Sequence, residues 1–192
     1  MSKERNIRPA LFLDRDGIIN VDKGYVFRRQ DFEFIDGVFE VCRKAKELGY
    51  WIFVVTNQAG IGRGYYTSSQ FRELSKWMEA YFKAEDIVID RIYYCPHHIE
   101  AKYKKYRCHC SCRKPNPGMI HQASKDFDVD IPNSVLVGDK PTDIQAGQRA
   151  GLRINILYDN DESELCFPQD IDDYIRVKRI LEVKQYLTNW VL

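Results

Sequence analysis

Short, wholly apolar runs alternate along the chain with longer stretches of helical periodicity. Ala10–Leu13, Trp51–Val55, Ile92–Tyr94, Val135–Val137 and Ile154–Leu157 read as buried strands. Val38, Val41, Cys42, Ala45 and Leu48 follow helical spacing and stop at Gly49, a C-terminal cap. Phe71, Leu74, Met78, Tyr81 and Phe82 mark a second helix, opened by Thr67 and Gln70 in capping-box spacing. Pro141 to Ala150, stopped by Gly151, gives a third. Strand alternating with helix predicts an α/β fold, a parallel sheet covered by helices on both faces. No repeat, low-complexity tract or linker divides the chain, so residues 1–192 are expected to form one domain.

The polar residues fall where such a fold puts chemistry. The first strand runs into Asp14, the second into Thr56-Asn57 and the fourth into Gly138-Asp139. Open parallel sheets bind ligands at the carboxyl ends of their strands. Any one of these residues alone would be an ordinary turn residue; three such ends together argue for a site. Asp14 and Asp16, two apart, would project to the same side of an extended backbone. With Asp139 they would repel and raise one another's pKa unless a hard divalent cation lay among them. Magnesium suits that role and a phosphate substrate, with Asp14 as nucleophile and Asp16 as proton donor and acceptor.

Charge changes little in this picture. The 29 basic and 28 acidic residues nearly cancel, which points to neither a nucleic-acid nor a membrane surface. The charged start, Met1-Ser2-Lys3-Glu4-Arg5, does not suit a secretory signal, and no apolar run approaches the roughly 20 residues of a membrane span. A soluble, cytoplasmic protein is expected.

Asp14-x-Asp16-Gly17, Thr56-Asn57, Lys114 and Gly138-Asp139-x-x-x-Asp143, in this order, resemble the four motifs of the haloacid dehalogenase superfamily. The resemblance runs from about Leu11 to Ile156 and implies a three-layer Rossmann-like sandwich around a central parallel sheet, without a large cap domain. It implies Asp14 as nucleophile and Asp16 as general acid/base. It also implies magnesium held by Asp14, the Asp16 carbonyl oxygen and Asp139, with Asp143 supporting that site. Thr56 and Lys114 would bind the transferring phosphoryl group. Ile18 departs from the Thr or Val common in the superfamily, though it is β-branched like both.

Cysteine use points to a second metal. Cys42 and Cys166 stand alone, whereas Cys95, Cys108, Cys110 and Cys112 cluster with His97, His98 and His109. Cys95-x-His97 and Cys110-x-Cys112 supply soft ligands suited to tetrahedral zinc, and on spacing alone Cys108-x-Cys110 would serve almost as well. In the small zinc-bearing phosphatases of the superfamily, the second ligand pair directly precedes an Arg-Lys-Pro. Here Cys112 precedes Arg113-Lys114-Pro115, and that resemblance selects Cys95, His97, Cys110 and Cys112. Four protein ligands make a structural zinc, tying down the loop that carries Arg113 and Lys114.

Within the superfamily the chain resembles the phosphatases of heptose bisphosphates. The resemblance lies in Asn20-x-Asp22-x-Gly24-Tyr25-Val26, Phe32–Gly37, Thr56-Asn57-Gln58-x-Gly60-Ile61, Tyr93–His98 and Cys112-Arg113-Lys114-Pro115-x-Pro117-Gly118-Met119. It implies a sugar bisphosphate as substrate, bound by Asp22, Lys23, Gly24, Tyr25, Thr56, Asn57, Gln58, Ala59, Lys114 and Lys140, with Arg113 reading the distal end. Ala59 stands where Ser is often found. Phosphatases of histidinol phosphate share the catalytic motifs and a similar zinc loop, and form the alternative. A zinc-stabilised nucleic-acid-binding module is a remote one, because the strand-end carboxylates would repel a phosphate backbone. Gly60 to Gly64 reads as a flexible loop with Arg63 toward solvent, and the spacing of Gly62 and Gly64 excludes a dinucleotide fingerprint. In the tail, Tyr174, Val177, Ile180, Leu181 and Val183 predict a packing helix, with Tyr186, Trp190 and Val191 marking either core or a contact surface. A monomer is expected.

Overall fold

The computed structural model describes residues 7–159 and 173–188. Cys166, Trp190 and Val191 lie outside them. Six parallel strands form one sheet: β1 (Ala10–Leu13), β2 (Trp51–Asn57), β3 (Arg91–Cys95), β4 (Val135–Gly138), β5 (Ile154–Tyr158) and β6 (Ile175–Val177). Their order across the sheet is β3-β2-β1-β4-β5-β6. The helices are α1 (Val38–Glu47), α2 (Ala59–Arg63), α3 (Ser68–Ala84), α4 (Gly118–Asp126) and α5 (Pro141–Ala150).

Alternation along the central strands makes the three layers. Leu11, Leu13, Val54, Val135 and Val137 point into one apolar layer with Val41 and Cys42 of α1 and Leu74, Met78 and Phe82 of α3. Ala10, Phe12, Phe53 and Leu136 point the opposite way, onto Met119, Ile120 and Ala123 of α4 and Ala146 of α5. Buried on both faces, these strands need no polar alternation, and their sequences show none.

The predicted helix limits hold. Thr67 and Gln70 form the reciprocal capping box at the start of α3. Gly49 and Gly151, with φ of 81° and 91°, follow α1 and α5 in the left-handed conformation open to glycine. Two expectations fail. Gly60 to Gly64 is no open loop, because Ala59–Arg63 winds into one helical turn and Arg63 Nη2 lies 3.2 Å from His98 Nε2. The tail is also no single helix. Ile175–Val177 adds the edge strand β6, and Ile180–Tyr186 forms a 3-10 helix with Ile180 and Val183 buried.

Register sets the site. Leu13 pairs with Val54 on one side and Val137 on the other, so Asp14 leaves β1 level with Val55 and Gly138 while β2 runs on through Thr56-Asn57. Asp14, Thr56-Asn57 and Asp139 therefore leave the sheet side by side. Asn57 pairs with Cys95, which brings the first cysteine of the Cys/His cluster to the same edge.

Candidate active site and metal-ligand cluster

Lys114 lies at the centre of the site, 3 % exposed. Its Nζ is 3.0 Å from Asp14 Oδ1 and 2.6 Å from Asp143 Oδ1, and donates to the Val55 carbonyl at 2.8 Å. Asp14 also accepts at Oδ1 from the Arg15 N–H at 2.7 Å. The second oxygen of Asp143 accepts the Lys140 N–H at 3.0 Å, so both its oxygens are engaged.

Asp14, Asp139 and Asp143 bring a carboxylate oxygen each within 4.8 Å of one another. One buried ammonium cannot balance three such charges. Burial, together with Asp143 and Asp16 and against the pull of Lys114, raises Asp14 to about 6. Burial, then Asp14 and Asp143, raises Asp139 to about 7. Asp139 Oδ1 is buried without a hydrogen-bond partner among the described residues. An all-oxygen donor set with surplus negative charge and an orphaned oxygen fits a hard divalent cation. The Asp16 side chain stands outside this group.

Close approach explains two glycines here. A Cβ on Gly17 (φ +90°) would lie 2.3 Å from Asp139 Oδ2, and one on Gly138 would lie 2.2 Å from Asp143 Cβ.

Cys95, His97, Cys110 and Cys112 converge in a second cluster. Their ligand atoms lie 3.2 to 3.6 Å apart over five measured pairs. A tetrahedron of sulfur and nitrogen about a zinc ion has edges of roughly 3.4–3.8 Å. Cys108 and His109, close in sequence, are exposed and lie outside this cluster, and His98 is engaged with Arg63 and the Glu100 N–H. The cluster reaches the active site through its neighbours, since Arg113 follows Cys112 and donates from Nη1 to the His97 carbonyl at 3.2 Å.

A cavity of about 580 Å³ opens over the strand ends, lined by Asp14, Asp16, Asp22, Gly24, Tyr25, Thr56, Asn57, Gln58, Ala59, Arg113, Lys114 and Lys140. Tyr66, Pro115, Thr142 and Asp143 complete it. Lys140 spans its mouth, 2.9 Å from Asp22 and 3.4 Å from Asp139. Burial disfavours its charge, but those carboxylates hold the ammonium above its usual range. Lys23, expected at this site, instead pairs with Glu33 at 2.8 Å and does not line the cavity. Tyr25 stands at the rim, 43 % exposed, edge-on to Tyr65. Tyr66, Thr142 and the buried Arg15 stand at or beside the site without a signal in the sequence. Tyr66 and Thr142 belong to no motif, and Arg15 stands at the unspecified position of Asp14-x-Asp16.

The HAD-hydrolase-like family model matches residues 111–165. A D-glycero-alpha-D-manno-heptose-1,7-bisphosphate 7-phosphatase of Burkholderia mallei is 54 % identical over 158 residues, 82 % of this chain and 84 % of its own. A D-glycero-beta-D-manno-heptose-1,7-bisphosphate 7-phosphatase of Escherichia coli is 47 % identical over 149 residues, 78 % of each chain. The D,D-heptose 1,7-bisphosphate phosphatase from B. bronchiseptica, solved with magnesium and phosphate, shares the fold with a TM-score of 0.77 at 24 % identity, over 93 % of this chain and 97 % of its own. With the motif residues gathered at one cavity and these relatives covering most of its length, the chain belongs to the heptose-1,7-bisphosphate 7-phosphatase family of HAD-like hydrolases.

Proposed function

We propose that this protein hydrolyses the C7 phosphate of D-glycero-D-manno-heptose 1,7-bisphosphate, giving heptose 1-phosphate for surface-glycan precursor synthesis. The observation that carries the reaction class is Asp14 at the floor of the cavity, 3.0 Å from the buried Lys114 and beside Asp139 and Asp143. Among the described residues the Arg15 N–H and the Lys114 ammonium both reach Asp14 Oδ1, which leaves Oδ2 to attack phosphorus. As the Asp14–phosphorus bond forms, the bond to the sugar oxygen breaks and Asp16 gives that oxygen a proton. Asp16 then takes a proton from water, which attacks the aspartyl-phosphate and releases phosphate and Asp14. Thr56 and Lys114 hold the phosphoryl oxygens, and Arg113 reads the far phosphate with its guanidinium fork.

Asp14, the Asp16 carbonyl and Asp139 would hold magnesium, which when bound neutralises phosphate charge and orients the group for in-line displacement. Cys95, His97, Cys110 and Cys112 would hold a structural zinc, leaving no open position for chemistry. A phosphorylated sugar substrate supports a cytoplasmic location.

The test is kcat/KM for phosphate release from the alpha and beta anomers of the bisphosphate, with histidinol phosphate as control. Preference for a bisphosphate anomer is expected, and preference for histidinol phosphate overturns the substrate. Relatives acting on each anomer match this chain, so the assay also decides which anomer it takes.

A further inference from the structure

Asp16 is held by a set of donors. Arg15 Nη2 reaches both its oxygens, at 2.8 and 2.9 Å, and Asn20 Nδ2 reaches Oδ1 at 3.1 Å. Gln58 Nε2 donates to Oδ2 at 2.9 Å and also to Thr56 Oγ1 at 2.9 Å. That single amide therefore touches both the carboxylate assigned to proton transfer and the hydroxyl assigned to the phosphoryl group.

A buried amide can be turned either way, and its partners decide which. Gln58 is 1 % exposed, and its Oε1 accepts from the Tyr66 hydroxyl. The reversed amide would set Oε1 against the Asp16 carboxylate and leave the phenol facing an NH2 group. Tyr66 is itself immobilised. It is 5 % exposed, its ring stacks on Phe27 at 5.2 Å, and Gly60 lies so close that a Cβ there would be 2.2 Å from Tyr66 Cε1. Burial pushes the phenol above its usual pKa, so it remains a neutral donor.

We propose that Tyr66 is a positioning residue for leaving-group protonation, acting through Gln58 to fix the place of the Asp16 carboxylate beside Thr56. Removing the phenol oxygen leaves a buried amide oxygen without its donor, so the amide gains freedom to turn. Asp16 Oδ2 then loses the donor that ties it to Thr56, while Arg15 and Asn20 still hold the carboxylate. The inference rests on Asp16 being the general acid.

Tyr66→Phe keeps the ring and its stacking and removes one hydroxyl. A sugar alcohol is a poor leaving group that needs a proton as it departs, whereas p-nitrophenolate leaves without one. In Tyr66→Phe, kcat/KM should fall about tenfold on the heptose bisphosphate, part of the roughly 10²–10⁴ that acid–base catalysis supplies. The fall on p-nitrophenyl phosphate should be several-fold smaller. Gln58→Leu should show the same imbalance, and circular dichroism and thermal melts confirm that both variants are folded. Equal losses on the two substrates, or no loss, overturn the positioning role. Asp16→Asn in the same assay separates the two ideas. If it too shows no imbalance, the general-acid assignment itself fails; if it alone shows one, only the role of Tyr66 fails.

Discussion

Asn57 and Lys114 are joined by a reciprocal pair of hydrogen bonds. Asn57 Nδ2 donates to the Lys114 carbonyl at 3.1 Å, and the Lys114 N–H donates to Asn57 Oδ1 at 3.1 Å. A residue at the end of β2 thus clamps the backbone of the loop that delivers the buried ammonium. Asn57→Ala should lower stability by about 1–3 kcal/mol, because the loop loses both partners. It should lower kcat/KM by about tenfold or more through displacement of Lys114. Urea unfolding and steady-state kinetics check the two effects, and unchanged kinetics would show that the clamp is structural only.

Asp14→Asn keeps the size and shape of the side chain while removing the nucleophile. Turnover should fall by more than about a thousandfold with the fold intact. Circular dichroism confirms folding, and phosphate release at wild-type rates would eliminate the covalent mechanism.

Arg113 tests the reading of the substrate's far end. Its guanidinium is tethered by the His97 carbonyl and faces the cavity lined by Asp14 and Lys114. Arg113→Ala should raise KM for the bisphosphate by about 10–100-fold, the loss of charge-assisted hydrogen bonds. A heptose 7-phosphate without the second phosphate should be much less affected. Equal effects on the two substrates would place Arg113 at the reacting phosphate instead.

The strand cores and the residues just beyond them were legible because both follow local rules. Apolar runs buried on two faces give strands, and polar residues at their carboxyl ends give a site. The contacts between distant segments were not legible. Gly60 and Gly62 suggest an open loop, yet they are glycines because Tyr66 and the Pro96 carbonyl press against α2: a Cβ would lie 2.2 and 2.5 Å from them. The tail failed for a similar reason, since Val177 pairs with Tyr158 in the sheet rather than continuing a helix. Lys23 sits beside true cavity residues in sequence, but Glu33 draws it away.

Cys110→Ser removes one soft ligand from the four-residue cluster. The variant should bind zinc far more weakly, and the segment 96–117 should exchange its amide hydrogens faster. Activity should fall with it, because Arg113 and Lys114 follow directly after Cys112. Elemental analysis with hydrogen exchange checks this. A fully active, zinc-free wild-type protein would remove the metal from the account.

The carboxylate cluster also predicts how stability depends on pH without a divalent cation. Asp14 and Asp139, raised from 3.8 to about 6 and about 7, keep protons in the folded state that the unfolded chain has already released. Between about pH 4 and pH 7 the folded protein therefore binds more protons than the unfolded one, and stability falls as pH rises. The contribution is full below the unfolded value and lost as pH climbs through the folded values. Other groups titrate in the same window, so the informative quantity is the difference from Asp139→Asn, which lacks one charge of the cluster. In magnesium-free buffer the wild type should lose more stability than that variant from about pH 4.5 to about pH 7.5, measured by urea unfolding. Saturating magnesium should reverse the order, since the cation binds the folded wild type once its carboxylates are ionised. A difference that stays flat with pH, or that magnesium leaves unchanged, would show that the cluster is neutralised from within.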